Sequence, residues 1–360
     1  MNTILVTGSP GFIGANLVIK LLQTLTSGLI VSLDNLNDYY DPELKLYRLN
    51  WIAKVAANSS VHHIFINIDI ADKDLISYLF NQYRFDIVVN LAAQAGVRYS
   101  IDHPDVYINS NILGFYNILE ACRHSYDFIS SDYNGVQHLV YASSSSVYGG
   151  NKKIPFSTED MVEHPVSLYA ATKKSNELLA HAYAKLYNIP STGLRFFTVY
   201  GPAGRPDMFY FSATNKLVRG EKIQLFNYGD MKRDFTYVDD IVEGIIRVMN
   251  RPPKKAVGED GLPIPPYALY NIGGGQPENL LDFITVLQEE LVRAKILPKN
   301  YDFEGHRELV GMQAGDVPVT CADSEPLERD FGFKPTTSIR DGLRKFCKWY
   351  ARYYKTQHND

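Results

Sequence analysis

The sequence predicts an α/β fold: a doubly wound parallel sheet accompanied by a smaller mixed α/β domain. Short apolar runs alternate with helix-like segments from the start of the chain, and repeated β-α units of this kind form parallel sheets. A glycine-rich turn, TGSPGFIG, separates the first predicted strand from the first predicted helix. Finally, 360 residues, of which 45% are hydrophobic, are sufficient for a large core and two domains.

The first β-α-β unit predicts a dinucleotide site. Gly8, Gly11 and Gly14 let the backbone turn tightly and approach a pyrophosphate, which the free N–H groups at the start of the helix would bind. Asp34 closes the second strand, LIVSLDN, 20 residues after Gly14. A carboxylate there accepts hydrogen bonds from an adenosine ribose and repels a 2′-phosphate. The unit therefore indicates a Rossmann fold that binds NAD rather than NADP, with a purely structural tight turn as the alternative.

Three further apolar runs, HHIFINIDI, FDIVVNLAAQ and HLVYASSSS, extend the predicted sheet. Ligands bind at the carboxyl ends of the strands in such sheets, so we expect the residues at those ends to contact the cofactor. The full set of expected cofactor contacts is Gly8, Gly11, Phe12, Ile13, Gly14, Asp34, Asn35, Asp69, Ile70, Leu91, Ala92, Ala93, Gln94, Ser143, Tyr169 and Lys173.

The pattern changes after the strand and Pro/Gly loop of NIPSTGLRFFTVYGPAGRPD. A short strand KIQLF, the segment RDFTYVDDIVEGIIRVM, a Pro-rich surface loop and a strand LYNIGGG follow, and then helices from about residue 279 and around 341–354. These segments are too heterogeneous to continue the sheet regularly. We expect residues 1–195 plus 235–272 to form the NAD-binding domain, and residues 196–234 plus 273–360 to form the substrate domain.

Composition and charge argue against several classes of function. A net charge of −4 gives no sign of a nucleic-acid or membrane-surface partner. Cys122, Cys321 and Cys347 are widely spaced and form no C-x-x-C pair, so neither a disulfide framework nor a metal site is indicated. The apolar run at residues 4–6 is too short for a signal sequence or a membrane span. These features favour a cytoplasmic protein.

The stretch 141–173 carries the clearest catalytic pattern. YASSSSVYG is typical of a buried strand that ends in serines, and YAATK places Tyr169 and Lys173 at i and i+4 on one helical face. A lysine beside a tyrosine favours the phenolate, so the tyrosine can act as a base near neutral pH, and a serine hydroxyl would complete a proton relay. The tyrosine–lysine pair alone is also compatible with an ordinary exposed helix face.

Together the motifs resemble those of a known family. TGSPGFIG, NLAAQAGVRYS, YASSSSVYG, YAATK, RDFTYVDD and GDVP are similar to motifs of the extended short-chain dehydrogenase/reductases that modify nucleotide sugars. Within that family, GLRFFTVYGPAGRPDMFYF and DNLNDYY resemble the UDP-glucuronate 4-epimerases. The resemblance implies NAD as cofactor and a UDP-sugar as substrate. It implies 4-epimerisation of UDP-glucuronate to UDP-galacturonate through a transient 4-keto sugar, without net redox, for polysaccharide biosynthesis.

The resemblance also implies the catalytic residues. Tyr169 takes the proton of the sugar 4-hydroxyl while C4 gives hydride to NAD, and Lys173 holds the nicotinamide ribose and lowers the pKa of Tyr169. The hydroxyl relay, three positions before V-Y-G, falls on Ser144. Ser143 and Ser145 remain alternatives, because a run of serines leaves the register open by one residue.

The two residues after Ser144 separate reactions that share the first oxidation. Related dehydratases carry an Asp-Glu pair there, and related decarboxylases carry a Glu immediately before V-Y-G. This chain has Ser145 and Ser146, and neither supplies a carboxyl group. Dehydration and decarboxylation are therefore disfavoured, and epimerisation is favoured.

A uronate epimerase must also hold the sugar carboxylate, because oxidation at C4 creates a β-keto acid that loses carbon dioxide when the carboxylate is free to rotate. An arginine can grip a carboxylate through two parallel hydrogen bonds, and Arg205 is suited to this by type; a solvent-facing loop arginine is the alternative. The expected substrate contacts are Arg98, Ser145, Ser146, Thr198, Arg205, Gln224, Phe226, Arg233 and Asp316. Gln313 stands where many UDP-galactose 4-epimerases have arginine, which favours the uronate branch.

Other interpretations stay open at this stage. The chain could be a UDP-glucose or UDP-N-acetylglucosamine 4-epimerase, less readily a UDP-glucuronate decarboxylase, or a non-enzymatic protein that senses the cofactor. The resemblance further implies a homodimer, formed by the Tyr169 helix and a preceding helix from about residue 106 to 123.

Overall fold

A seven-stranded parallel sheet forms the centre of the molecule. The computed structural model describes residues 2–258, 260–312 and 316–357. The strands, numbered β1 to β15 in chain order, are Thr3–Thr7, Leu29–Asp34, His62–Asn67, Ile87–Asn90, His138–Ser144, Ser191–Phe196, Thr198–Tyr200, Ile223–Leu225, Lys232–Arg233, Phe235–Tyr237, Ala256–Val257, Pro263–Ile264, Tyr267–Ile272, Glu278–Asn279 and Arg307–Leu309. The large sheet has the order β13-β6-β5-β4-β1-β2-β3, and its pairings are all parallel. The predicted fold class is confirmed.

Helices cover both faces of this sheet. The α-helices, α1 to α12, are Phe12–Thr24, Pro42–Ala56, Lys73–Tyr83, Tyr99–Asp102, Pro104–Tyr107, Phe115–His124, Leu168–Tyr187, Phe209–Val218, Val238–Met249, Leu280–Arg293, Glu325–Phe331 and Ile339–Gln357. Side chains alternate between the faces along each strand. On β1, Ile4 and Val6 join the core beneath α1 and α9, whereas Leu5 joins the core beneath α3 and α6.

The strand order creates the crevice in which a ligand can bind. The chain moves from β1 to β2 and β3 on one side, and then returns to place β4 on the other side of β1. The loops after β1 and β4 therefore separate at the carboxyl edge of the sheet, which is the topological switch point of such folds.

The later part of the chain packs beside this edge. Strands β8 and β15 pair in parallel, β9 and β14 pair antiparallel, and α8, α10 and α12 surround them. Strand β13 returns to the large sheet, and α9 packs against α1 and β5. One hydrophobic core includes residues of β1 and α1 together with residues of α8, α10 and α12. The domain boundaries at residues 195, 235 and 272 remain a prediction.

The helix expected over residues 106–123 has an irregular centre. An α-helix at Pro104–Tyr107 is followed by a π-helical segment, Ile108–Gly114, before α6 begins at Phe115. The side chain of Asn111 in this segment bonds the backbone N–H and C=O of Gln94 and the hydroxyl of Thr172. Periodicity alone did not predict this insertion, although π-turns frequently occur at functional sites.

The Pro-rich excursion also contains regular structure, a short hairpin of β11 and β12. The thiols of Cys122, Cys321 and Cys347 are all free and buried. Within the described ranges, no group of three or more His, Cys, Asp or Glu side chains is arranged to hold a metal ion. None of the helices in that part of the chain has the length and hydropathy needed to cross a membrane.

Candidate active site

A single cleft of about 910 Å³ runs along the carboxyl edge of the sheet and beneath the later segments. All of the residues predicted to contact the cofactor line it. So do Ser144 and eight of the nine residues predicted to contact the substrate: Arg98, Ser145, Ser146, Thr198, Arg205, Gln224, Phe226 and Asp316. The sequence pattern therefore placed the expected cofactor and substrate residues along one continuous surface, with Arg233 as the exception.

The glycine turn forms one end of the cleft and fits a pyrophosphate. Gly8 has a φ of +71°, and a Cβ there would lie 2.8 Å from the backbone nitrogen of Ala92, so a larger residue would force the strands apart. Gly11 caps helix α1 without any side-chain hydrogen bond. The N–H groups of Phe12 and Ile13 have no partner within the helix and line the cleft, where they can bind an anion.

Asp34 lies where an adenosine ribose would be recognised. Its Oδ1 accepts a hydrogen bond from the backbone N–H of Leu36 at 2.7 Å and faces the amine of Lys45 at 3.4 Å. Among the contacts of the described residues, Oδ2 has no protein donor, so it is available to a ribose hydroxyl. The side chain of Lys45 is buried and also bonds Asn37. Sequence reasoning missed Lys45, although its position in the helix after DNLNDYYDP would have suggested a location beside Asp34.

Tyr169 and Ser144 meet at the centre of the cleft. Helix α7 begins immediately after Ser167, whose hydroxyl accepts a hydrogen bond from the N–H of Ala170, and this cap fixes Tyr169 in the first helical turn. Burial raises the pKa of Tyr169 above its ordinary value, while a hydrogen bond with Ser144 and the charge of Arg205 oppose that rise. The phenol and the serine hydroxyl therefore lie near each other in the cleft.

Lys173 lies one turn further along α7 and is only 3% exposed. Its amine donates a hydrogen bond of 2.8 Å to the backbone carbonyl of Ala142, and burial lowers its pKa to about 8. The charge of Arg205 opposes the rise in the pKa of Tyr169, whereas the charge of Asp207 adds to it; the predicted effect of Lys173 on that pKa stays a prediction. Lys173 lines the cleft beside Ala142, where it can also reach a ligand.

The structure separates the serines that the sequence left ambiguous. Ser143 donates a hydrogen bond of 2.7 Å to the carboxylate of Glu177, behind the strand. Ser144 instead contacts Tyr169 and accepts a hydrogen bond from the N–H of Ser146 at 3.1 Å. Ser145 and Ser146 follow in a 3-10 turn and line the cleft. The geometry therefore favours Ser144 as the relay over Ser143.

Arg205 lies in the same cleft but already has a carboxylate partner. Its Nε donates to Oδ1 of Asp207 at 3.0 Å, and its Nη2 donates to Oδ2 of the same residue. The hydroxyl of Tyr39 donates to Oδ2 of Asp207 at 3.1 Å. Sequence reasoning selected Arg205 and missed Asp207 and Tyr39, although both occur in motifs, GRPD and DNLNDYY, that supported the family resemblance.

A second arginine–carboxylate pair, Arg98 and Asp316, also lines the cleft. Arg98 lies 3.4 Å from Asp316, and its guanidinium stacks 4.9 Å from the ring centre of Phe226. Gln224 donates to Glu308 across the β8–β15 pair.

Arg233 does not line the cleft, because its guanidinium donates to the backbone carbonyls of Lys232 and Pro318. Arg233 also interacts electrostatically with Asp316, which lines the cleft, and its role as a substrate contact stays a prediction. Gln313 lies outside the described residues.

Comparisons with known proteins agree with this geometry. Residues 4–273 match the model of the NAD dependent epimerase/dehydratase family. The chain is 48% identical over 358 residues to the protein CapI of Staphylococcus aureus, covering 98% of this chain and 99% of that protein. It is 42% identical over 359 residues to UDP-glucuronate 4-epimerase 4 of Arabidopsis thaliana, covering 98% of this chain and 76% of that protein.

A solved structure shares the fold over the whole chain. The UDP-glucuronic acid 4-epimerase of Bacillus cereus, in complex with UDP-glucuronic acid and NAD, superposes with a TM-score of 0.79 at 30% sequence identity. The superposition covers 98% of this chain and 100% of the Bacillus cereus chain.

Proposed function

This chain belongs to the NAD-dependent epimerase/dehydratase family, and we propose that it interconverts UDP-glucuronate and UDP-galacturonate by 4-epimerisation. One observation carries the proposal: a single cleft brings Ser144 and Tyr169 together with Arg205, while the two positions after Ser144 are serines. The first pair suits oxidation at C4, and the arginine suits a substrate that carries a carboxylate.

The cofactor would occupy the end of the cleft formed by the glycine turn, Asp34 and Lys173. NAD supplies the acceptor, and later the donor, of the hydride at C4. Tyr169 would have to be in its phenolate form to accept the proton of the 4-hydroxyl as the hydride leaves. The hydroxyl of Ser144 can relay this proton, taking it from the sugar while giving its own to Tyr169. Both steps reverse after the 4-keto sugar has turned its opposite face toward the cofactor. The hydride then returns to C4, so no net redox change occurs.

Arg205 would keep the 4-keto uronate from losing its carboxylate. Decarboxylation requires the bond between the sugar ring and the carboxylate carbon to lie perpendicular to the plane of the C4 ketone, parallel to its π orbitals. A bidentate guanidinium can hold the carboxylate away from that orientation. Ser145, Ser146 and Thr198 line the same region and offer hydroxyl groups. The absence of a carboxyl side chain at positions 145 and 146 also leaves no acid to assist elimination there.

Incubation of the purified protein with UDP-glucuronate tests the proposal. Chromatography should resolve UDP-galacturonate as the new product, with no consumption of added NAD. Tyr169→Phe should reduce turnover at least about a hundredfold, since general acid–base groups commonly contribute factors of 100 to 10,000. Formation of UDP-xylose or a 4-keto pentose with carbon dioxide would contradict the assignment, and so would turnover of UDP-glucose alone.

A homodimer built on α6 and α7 is part of the proposal. Leu113, in the π-helical segment before α6, is 44% exposed, and Leu178 and Leu186 on α7 are 61% and 67% exposed. Exposed apolar helix faces commonly pair across a two-fold axis. Analytical ultracentrifugation should give a dimer that Leu178→Lys weakens, and a monomeric wild-type protein would disprove this point. We further place the activity in the cytoplasm, where free thiols such as Cys122 persist, and its product in polysaccharide biosynthesis.

A further inference from the structure

The pairing of Arg205 with Asp207 poses a problem for a uronate-binding site. The arginine that suits the substrate carboxylate already holds a carboxylate of this chain in a two-point interaction. Neither side chain is fully buried, with 24% of Arg205 and 32% of Asp207 exposed to the cleft. The pair is therefore accessible to a ligand.

The unused donors of Arg205 define how a ligand could enter. Asp207 occupies Nε and one N–H of Nη2. Because a guanidinium has five N–H groups, three donors remain besides the two that bind Asp207, and the hydroxyl of Tyr39 also interacts with the guanidinium. A second carboxylate can approach along the Nη1–Nη2 edge. Two carboxylates on one guanidinium repel each other, so each weakens the binding of the other.

Tyr39 keeps Asp207 in place when the arginine is engaged elsewhere. Its hydroxyl donates to Oδ2 of Asp207, and its ring packs edge-on against Tyr99, with the ring centres 4.8 Å apart. Asp207 can therefore loosen its contact with Arg205 without losing every polar partner.

We propose, on the basis of the proposed function, that Asp207 is a positioning residue that competes with the substrate carboxylate for Arg205. When the sugar carboxylate leaves the guanidinium, Asp207 takes its place, and this exchange lets the 4-keto sugar turn before hydride returns. During the turn the carboxylate stays bound by the hydroxyls of Ser145, Ser146 and Thr198, which line the same cleft. Without Asp207 the uronate would be held too tightly in one orientation. The residue therefore weakens ground-state binding and accelerates turnover.

Asp207→Asn tests this proposal, because asparagine keeps the shape and one acceptor oxygen but removes the charge. Binding is measured by calorimetry with the NAD-loaded protein in a Tyr169→Phe background, so that no turnover occurs. The dissociation constant of UDP-glucuronate should fall about fivefold to tenfold, somewhat less than the effect measured for close charge pairs at protein interfaces, because this pair is partly exposed. The dissociation constant of UDP-glucose should change less than about twofold, since that ligand has no carboxylate.

Kinetics with Tyr169 intact give the second readout. The Asp207→Asn variant should show kcat and KM for UDP-glucuronate that both fall, the signature of stronger ground-state binding with a slower later step. Weaker or unchanged binding of UDP-glucuronate would overturn the proposal, because Asp207 would then only orient Arg205. Tighter binding with unchanged kcat would also overturn it, because the exchange would not assist the turn.

Two control variants separate charge from local disruption. Tyr39→Phe keeps both charges but removes the second partner of Asp207. It should therefore weaken the binding of UDP-glucuronate, because Asp207 then holds Arg205 more firmly, and change the binding of UDP-glucose less than about twofold. Asp132→Asn changes an exposed aspartate at the opposite end of β5 and should leave all constants unchanged. A wild-type protein that forms no UDP-galacturonate would refute the proposed function. The binding comparison still tests Asp207 by itself, since it requires no turnover.

Discussion

Two arginine–carboxylate pairs of similar geometry occupy opposite kinds of environment in this molecule. Arg195 on β6 donates from Nε and Nη2 to the two oxygens of Glu177 on α7, each at 2.8 Å, and both side chains are almost fully buried, at 1% and 2% exposure. Arg205 makes the same two-point contact with Asp207, but both side chains face the cleft, at 24% and 32% exposure.

The surroundings of each pair indicate what it does. Glu177 also accepts hydrogen bonds from Ser143 and Lys174, so the carboxylate connects the end of β5 to α7. Arg195 further lies 4.7 Å from the ring centre of Tyr148. By contrast, Asp207 has only Arg205 and Tyr39 as side-chain partners within the described contacts. The buried pair thus holds Ser143 and Tyr148 in place around the proposed relay, whereas the exposed pair keeps donors available for a ligand.

The largest expected effect is a loss of folding stability when the buried Arg195–Glu177 pair is broken. Glu177→Gln leaves Arg195 buried without a counter-charge, so the free energy of unfolding should fall by about 3 to 5 kcal/mol. Urea unfolding of the NAD-free protein measures this change. A loss below about 1 kcal/mol would mean that water reaches Arg195, and the contrast between the two pairs would then disappear.

Two further variants serve as controls for that measurement. The same substitution at Glu243, which forms an exposed ion pair with Arg247 on α9, should cost less than about 0.5 kcal/mol. Replacing both Glu177 and Arg195 by methionine should recover most of the loss, because an apolar pair of similar volume avoids the cost of burying charge.

Breaking the exposed Arg205–Asp207 pair should reduce activity more than it reduces the free energy of unfolding. Arg205→Ala should lower kcat/KM for UDP-glucuronate about a hundredfold, or roughly 3 kcal/mol of transition-state stabilisation, because the carboxylate loses its bidentate partner. The dissociation constant of UDP-glucose should change less than about threefold, and the free energy of unfolding less than about 1 kcal/mol. Steady-state kinetics, calorimetry and urea unfolding together provide these values.

The rim residue Arg98 offers a matched comparison for Arg205. Its ion pair with Asp316 lies at the mouth of the cleft, where the Arg98 side chain is 54% exposed. Arg98→Ala should therefore affect UDP-glucuronate and UDP-glucose alike. Equal losses for both ligands in the Arg205→Ala variant would contradict the assignment of Arg205 to the carboxylate.

The sequence was sufficient to predict the parts of this site that depend on local chemistry. The glycine turn, the acidic end of β2 and the spacing of Tyr169 and Lys173 each follow from neighbouring residues and simple periodicity. The parallel, doubly wound character of the sheet follows from the repeated β-α units, whereas the strand order comes from the structure. These features required no knowledge of which side chains meet across the fold.

The remaining features depend on contacts between distant segments. Alternation along β5 placed Ser143 and Ser144 on opposite faces, but only the packing of α7 shows that Glu177 covers the face of Ser143. Similarly, Asp207 is two residues from Arg205, yet its second partner, Tyr39, lies 168 residues away in the chain. The expected effect of Lys173 on the pKa of Tyr169 was also a local inference and stays a prediction, whereas the charge of Arg205, which opposes the rise in that pKa, comes from a distant loop.

Lys173 extends the comparison to a buried cation that has no carboxylate contact in the described structure. Burial lowers its pKa from 10.5 to about 8, so below pH 8 the folded protein holds a charge that the unfolded chain accommodates more easily. Between pH 8 and 10.5 the unfolded state binds more protons, so this penalty shrinks and stability rises with pH. Lys173→Met removes the penalty but also removes the hydrogen bond to Ala142. The NAD-free variant should therefore gain about 2 kcal/mol at pH 7 while losing epimerase activity.

Urea unfolding at pH 7 and pH 10 shows why the Lys173→Met variant is more stable than the wild type. Relief from burying a charged amine depends on pH, whereas better packing of the methionine side chain does not. The advantage of Lys173→Met over the wild type should shrink as the pH rises toward 10.5, because the folded wild-type lysine has released its proton above pH 8 and the cost of removing that proton falls as the pH approaches the unfolded pKa. Lys185→Met, on the exposed part of the same helix, should change stability by less than about 0.5 kcal/mol at either pH. A constant advantage across this range would show that the amine is not desolvated. The charged group of Lys173 would then be solvated, as the guanidinium of Arg205 is, rather than buried like that of Arg195.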